Sequence, residues 1–231
     1  MFEDKVASLE EKLGVKFNNP DLLIQALTHR SYINENPSWR LDHNERLEFL
    51  GDAVLELVVT EYLYNNYPNP EGELTNWRAA LVNAVMMAKV SYKIDLNDFL
   101  LLSRGEAKDV GRARQVILAN AIEAVIGAIY LDQGYEATDR FIKAIIMPEL
   151  PDILADRSYK DAKSLFQEQA QEHVGVTPTY EVLKEWGPDH DKQFEVGVYL
   201  GRELVASGQG QSKQEAQQVA AENGLKNKNW N

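Results

Sequence analysis

The stretch from Ile117 to Leu131 constrains this chain more than any other. Nearly every position in it is apolar or small, Asn120 and Glu123 are the polar exceptions, and it stops at Gly134. A helix that is apolar all round has no face to offer to water, so other elements must surround it. A carboxylate inside such a helix is expensive unless it finds a partner. Glu123 therefore predicts both a helical core and a second group reaching into it.

Up to about residue 150 the pattern is helix after helix. Asn19-Pro20-Asp21 combines a cap, a proline at the first helical position and an acid at the positive dipole end, ahead of Leu22, Leu23, Ala26 and Leu27. A longer helix is predicted from about Asn44 to Asn66, stopped by Pro68 and Pro70. Another spans roughly Glu73 to Lys93, carrying Leu74, Trp77, Leu81, Val85 and Val90, and a last one runs from Tyr135 to Leu150. After residue 152 the periodicity changes. An amphipathic helix over Ala162–Val174 leads into a β-rich run with Tyr180, Val182 and Trp186. Phe194, Val196, Val198 and Leu200 then alternate with Glu195, Gly197 and Tyr199, the period of a strand. Leu204 and Val205 suggest a third short strand, and Ser212 caps a closing helix with Ala216, Val219 and Ala220 inward. The expected fold class is a mainly α N-terminal domain over residues 1–152, a linker at 153–160, and a small α+β domain (α-β-β-β-α) over 161–229.

Charge bounds the function. With 24 Lys and Arg against 36 Asp and Glu, the formal charge is −12, which on bulk electrostatics disfavours nucleic acid as a partner. Cysteine is absent, so disulfides and thiolate metal sites are impossible. No apolar run approaches the roughly 18–20 residues of a membrane span. Acids occupy the first residues, where a signal peptide would be basic. The expected address is cytoplasmic, with no membrane.

Where the acids fall matters more than their number. In His43-Asn44-Glu45-Arg46-Leu47-Glu48-Phe49-Leu50-Gly51-Asp52, the residues Glu45, Glu48 and Asp52 lie within about 60° of one another on a helix. Stacked like charges cost stability, and a bound cation would neutralise them. Three acids at helical spacing also describe a solvated face, but the sequestered pair Asn120 and Glu123, one turn apart, argues against that here. Ligands that are all oxygen point to Mg²⁺, with Mn²⁺ as substitute, rather than zinc. Glu56, on the same face, is read as solvated or salt-bridged.

These residues resemble a known family. HNERLEFLGDAVL is similar to the signature of ribonuclease III, the endonucleases that cut double-stranded RNA. Ala26–Ser31, Pro70–Thr75, Arg78–Val82 and Ile117–Gly127 resemble further family segments in order. The C-terminal part resembles a double-stranded-RNA-binding domain through Phe166-Gln167-Glu168, Pro178–Tyr180, Gly187–His190, Gly208–Lys213 and Ala216 to Ala221. Such modules read the shape of A-form duplexes through 2′-hydroxyls and phosphates.

The resemblance implies roles by position. Glu48, Asp52, Asn120 and Glu123 would be the metal ligands, with Asp52 and Glu123 also catalytic. Glu45 and Glu71 would be secondary acids. Phe49 would be an aromatic knob contacting the partner of a homodimer, its alternative being ordinary core. Gln167, His190, Lys213, Gln214 and Gln217 would face RNA. The implied reaction is metal-dependent cleavage to 5′-phosphate and 3′-hydroxyl ends, in the processing of precursor ribosomal and messenger RNA.

Three positions depart from the family pattern. Asn120 stands where aspartate is usual, which keeps a carbonyl oxygen but removes a charge. Weaker metal affinity is expected, and the alternative is a catalytically weakened or inactive dimeric RNA binder. Gln214 and Gln217 stand where lysine is common, and glutamine releases no counterion, so a shallower salt dependence is expected. An unrelated helical metallohydrolase acting on nucleotides is disfavoured, because the histidine-rich ligand set of such enzymes is missing and the C-terminal module would be idle.

Overall fold

The computed structural model describes residues 2–156, 162–188 and 192–230. Contacts divide the chain into two compact units, residues 1–159 and 160–231.

The first unit opens with α1 (Phe2–Leu13), which buries Val6, Leu9 and Leu13, and α2 (Pro20–Ala26). Asn19 caps α2 as expected, accepting from the Asp21 backbone N–H. A short α3 (Arg30–Glu35) buries nothing and is capped by His29, whose ring accepts from the Ser31 backbone N–H. Next come α4 (Glu45–Asn66), α5 (Glu71–Val82) and α6 (Ala84–Lys93). One continuous helix was expected across the last two. Instead Asn83 adopts an extended conformation and its side chain accepts from the Met86 backbone N–H, starting a new helix in mid-pattern.

The long apolar helix is α7 (Arg112–Gln133), ten residues of which from Ile117 to Ile129 are among the buried core. Among the described residues it alone has the length and hydropathy to cross a membrane, and burial inside the bundle accounts for that hydropathy. Each fully buried Leu or Ile, such as Leu118, Ile122 and Ile126, contributes about 1.5–3 kcal/mol. The Ser91 hydroxyl ties α6 to it, donating to the Leu118 carbonyl at 2.9 Å. Ahead of α7 the chain is pinned by Arg114, a buried guanidinium that donates to the carbonyls of Asp109 (3.0 Å) and Glu106 (2.8 Å). Then α8 (Tyr135–Ile145), a 3-10 turn (Met147–Glu149) and α9 (Leu150–Asp156) follow, where a single helix to Leu150 was expected. The segment read as linker starts within α9, and residues 157–161 lie outside the described ones.

The second unit follows the expected α-β-β-β-α order: α10 (Ala162–Val174), β1 (Thr179–Trp186), β2 (Gln193–Leu200), β3 (Glu203–Gly210) and α11 (Lys213–Lys228). The strands form an antiparallel sheet in the order β1-β2-β3. Its third strand is longer than Leu204–Val205 suggested. Gly208 lets α11 lie against β3, since a Cβ there would sit 2.2 Å from the Ala220 backbone nitrogen. Phe166, Val198, Val205, Ala220 and Leu225 make the small core. Ser212 caps α11 by accepting from the Glu215 backbone N–H.

Candidate functional site

The acids meet because two helices touch at glycine. A Cβ on Gly51 of α4 would fall 1.7 Å from the Glu123 carbonyl oxygen, and one on Gly127 of α7 would fall 2.2 Å from the Leu47 carbonyl oxygen. Glycine inside a helix costs about 1 kcal/mol relative to alanine, and here it allows backbone-to-backbone approach. That approach sets Glu48 and Asp52 of α4 beside Asn120 and Glu123 of α7. The role of the two glycines was missed in the sequence, although glycine in mid-helix is itself a signal of close packing.

Electrostatics at the crossing follow from burial and like charge. Burial raises the Glu48 pKa first, and Glu45 and Asp52 raise it further. The Asn120 amide opposes them by donating a hydrogen bond to the Glu48 carboxylate. Glu123 is pushed up to about 8 by burial, then by the charges of Asp52 and Glu48. Glu149 in the same unit makes an instructive contrast. Burial pushes it up too, yet hydrogen bonds from Lys89 and Lys93 win and hold its carboxyl below the usual range. Glu123 faces acids where Glu149 faces lysines.

This donor set fits a hard dication: three carboxylates and an amide oxygen, with one carboxylate pushed up to about 8 by burial and by the acids beside it. Among the described residues, no three Asp, Glu or His side chains are already drawn together at ion-holding spacing.

The remaining acids stand apart. Glu45 is 3.4 Å from Arg30 and 3.8 Å from His43, although Glu48 feels its charge. Glu71 heads α5 and lines a cleft of about 720 Å³ with Thr60, Leu63, Tyr64, Leu74 and Arg78, between α4 and α5. Glu56 is exposed. Phe49 is 82% exposed, which rules out the ordinary core reading within this chain. Leu57 (55%) and Tyr64 (77%) continue its face along α4 at seven- and eight-residue spacing, an unburied apolar stripe.

In the second unit, Gln167 and Gln214 line one cleft of about 470 Å³ with Lys163, Ser164, Tyr180 and Gln218. Gln217 accepts a 2.7 Å hydrogen bond from the Lys163 ammonium. Lys213 lies 5.7 Å from the centre of the Phe194 ring. Lys163, which no sequence motif singled out, thus joins the glutamines at this cleft. His190 lies outside the described residues.

Comparison with known proteins matches both units. A family model described as Ribonuclease-III-like matches residues 19–150, and one described as Double-stranded RNA binding motif matches 162–228. A protein named Ribonuclease 3 from Carboxydothermus hydrogenoformans is 45% identical, over 97% of this chain and 96% of its own. One of the same name from Enterococcus faecalis is 45% identical over 94% and 95%. Among solved structures, the nuclease domain of ribonuclease III from Campylobacter jejuni, described for flexibility in a region involved in dimer formation, covers 62% of this chain and 96% of its own at 43% identity, with a TM-score of 0.56.

Proposed function

The chain belongs to the ribonuclease III family, endonucleases acting on double-stranded RNA, and from that premise we propose that it is a magnesium-dependent homodimer that processes precursor ribosomal and messenger RNA in the cytoplasm. The observation that carries the metal assignment is the glycine-mediated crossing of α4 and α7, with its carboxylates short of positive charge.

Bound magnesium would supply Lewis-acid polarisation of the scissile phosphate and make a nearby water more acidic. Glu48, Asp52, Asn120 and Glu123 are the residues that would hold it, with Mn²⁺ as the substitute. Asp52 and Glu123 would orient the attacking water. Glu123 has to give up its proton to act as a ligand, and Asn120 steadies the Glu48 carboxylate. Glu45 and Glu71 add negative charge at the margins.

Pairing of two chains through the stripe of Phe49, Leu57 and Tyr64 would put two such sites against one duplex, one for each strand. The cleft beside Tyr64 and Glu71 offers room for an aromatic side chain from a second copy. Gln167, His190, Lys213, Gln214 and Gln217 are the proposed RNA contacts of the second unit.

Incubating the protein with a long duplex RNA, with and without Mg²⁺, tests this. The expected result is Mg²⁺-dependent cleavage to 5′-phosphate and 3′-hydroxyl ends. An intact duplex in the presence of folded, dimeric protein would refute it. Asn120 supports a second reading, a dimeric binder with little or no turnover. Substantial cleavage appearing only in Asn120→Asp would favour that reading, and comparable cleavage by both proteins would exclude it.

A further inference from the structure

We propose that Lys163 is a phosphate-binding residue, supplying from α10 the cation that Gln217 does not supply from α11. This rests on the assignment of the second unit as a duplex-RNA binder. Electrostatics set the demand. Duplex RNA is held largely through its phosphates, and cations that neutralise them release counterions. Yet residues 156–231 carry nine basic against twelve acidic side chains, and α11 opens Lys213-Gln214-Glu215-Ala216-Gln217 with a single lysine.

Two described lysines of the unit pair with acids. Lys192 pairs with Glu185, and Lys228 pairs with Glu203 at 2.8 Å. Lys163 borders the glutamines proposed as RNA contacts. Its ammonium donates to the Gln217 side-chain oxygen at 2.7 Å and sits 5.2 Å from the centre of the Tyr180 ring. Both contacts hold it in the cleft that Gln167 and Gln214 also line. The ammonium therefore stands at the end of the Gln217 side chain, within reach of the place a lysine at 217 would occupy. Glutamine at 217 is then more than a missing charge. It accepts from an ammonium that a second lysine would repel, while Gln214 and Gln167 add amide donors for phosphate oxygens. An anionic backbone entering this cleft would meet the Lys163 ammonium beside the polar side chains of Ser164, Gln167 and Gln214.

The test measures binding of the full-length protein to a short duplex RNA without divalent cation, so that nothing is cut, across a range of salt. Lys163→Gln is expected to weaken binding severalfold and to flatten the slope of log K against log salt by about one unit. Exchanging the pair, Lys163→Gln with Gln217→Lys, is expected to restore the slope. Lys163→Arg should keep it, and thermal melting checks that each variant is folded. An unchanged slope in Lys163→Gln, or an exchange that restores nothing, overturns the proposal while the parent still binds. Absence of salt-sensitive duplex binding by the parent would sink the RNA-binding assignment and this proposal with it.

Discussion

A carboxylate drawn into a helical bundle must find a cation or keep its proton, and Glu149 and Glu123 take these two courses. Lys89 and Lys93 keep Glu149 ionised, whereas burial, and after it the charges of Asp52 and Glu48, push Glu123 from an ordinary 4.5 to about 8. The folded chain then binds the extra proton between those values, so without a dication its stability falls as pH rises through that window. Thermal midpoints of cation-free protein, measured from about pH 5 to about pH 9, should decline, and Glu123→Gln should flatten the decline. Equal slopes for both proteins would remove Glu123 as the cause. Added Mg²⁺ should restore most stability at the alkaline end, where the carboxylate is free to bind it. Asn120→Asp returns a negative charge to the same cluster. The half-saturating Mg²⁺ concentration for cleavage should fall about tenfold, since the number of charged ligands tunes the affinity of oxygen sites.

Among the elements, the α4–α7 crossing shows what a sequence can and cannot reveal. Glu48 and Asp52 share a helical face by spacing alone, and Asn120 with Glu123 stands out against the apolar run of α7. Each helix could therefore be found separately. Their meeting could not, because Gly51 and Gly127 approach across a long separation in the chain. Other local features were hidden for simpler reasons. The apolar repeat continues through Asn83, so the break between α5 and α6 leaves no mark in the periodicity. Helix α3 buries no residue and so has no pattern to read, and Arg114 gives no hint that it clamps two carbonyls. The sheet unit was legible in order and strand identity because Val196 and Val198 alternate with polar or small neighbours. A methyl group at the crossing should be severe. Gly51→Ala should cost at least the 1–3 kcal/mol of ordinary overpacking, about the same for Gly127→Ala, and both should lose dication binding. Denaturant melts check the first effect, and a variant as stable as the parent would mean that the helices can part without harm.

At the level of the whole molecule, the net charge of −12 is a poor guide to partners, since residues 162–228 match a double-stranded RNA binding motif in spite of it. Phe49, Leu57 and Tyr64 leave an apolar stripe that a lone chain would expose to water. Phe49→Asp should shift the protein from dimer to monomer in sedimentation while leaving its helical content unchanged. A variant that stays dimeric would place the interface elsewhere. The claim on which the rest depends is that oxygens from two helices gather one hard ion, and direct titration of Mn²⁺ tests it without any substrate. Binding followed by calorimetry should show a site in the parent that weakens sharply in Glu48→Gln and in Glu123→Gln, with proton release at neutral pH that Glu123→Gln abolishes. Identical Mn²⁺ binding by all three proteins would contradict the account.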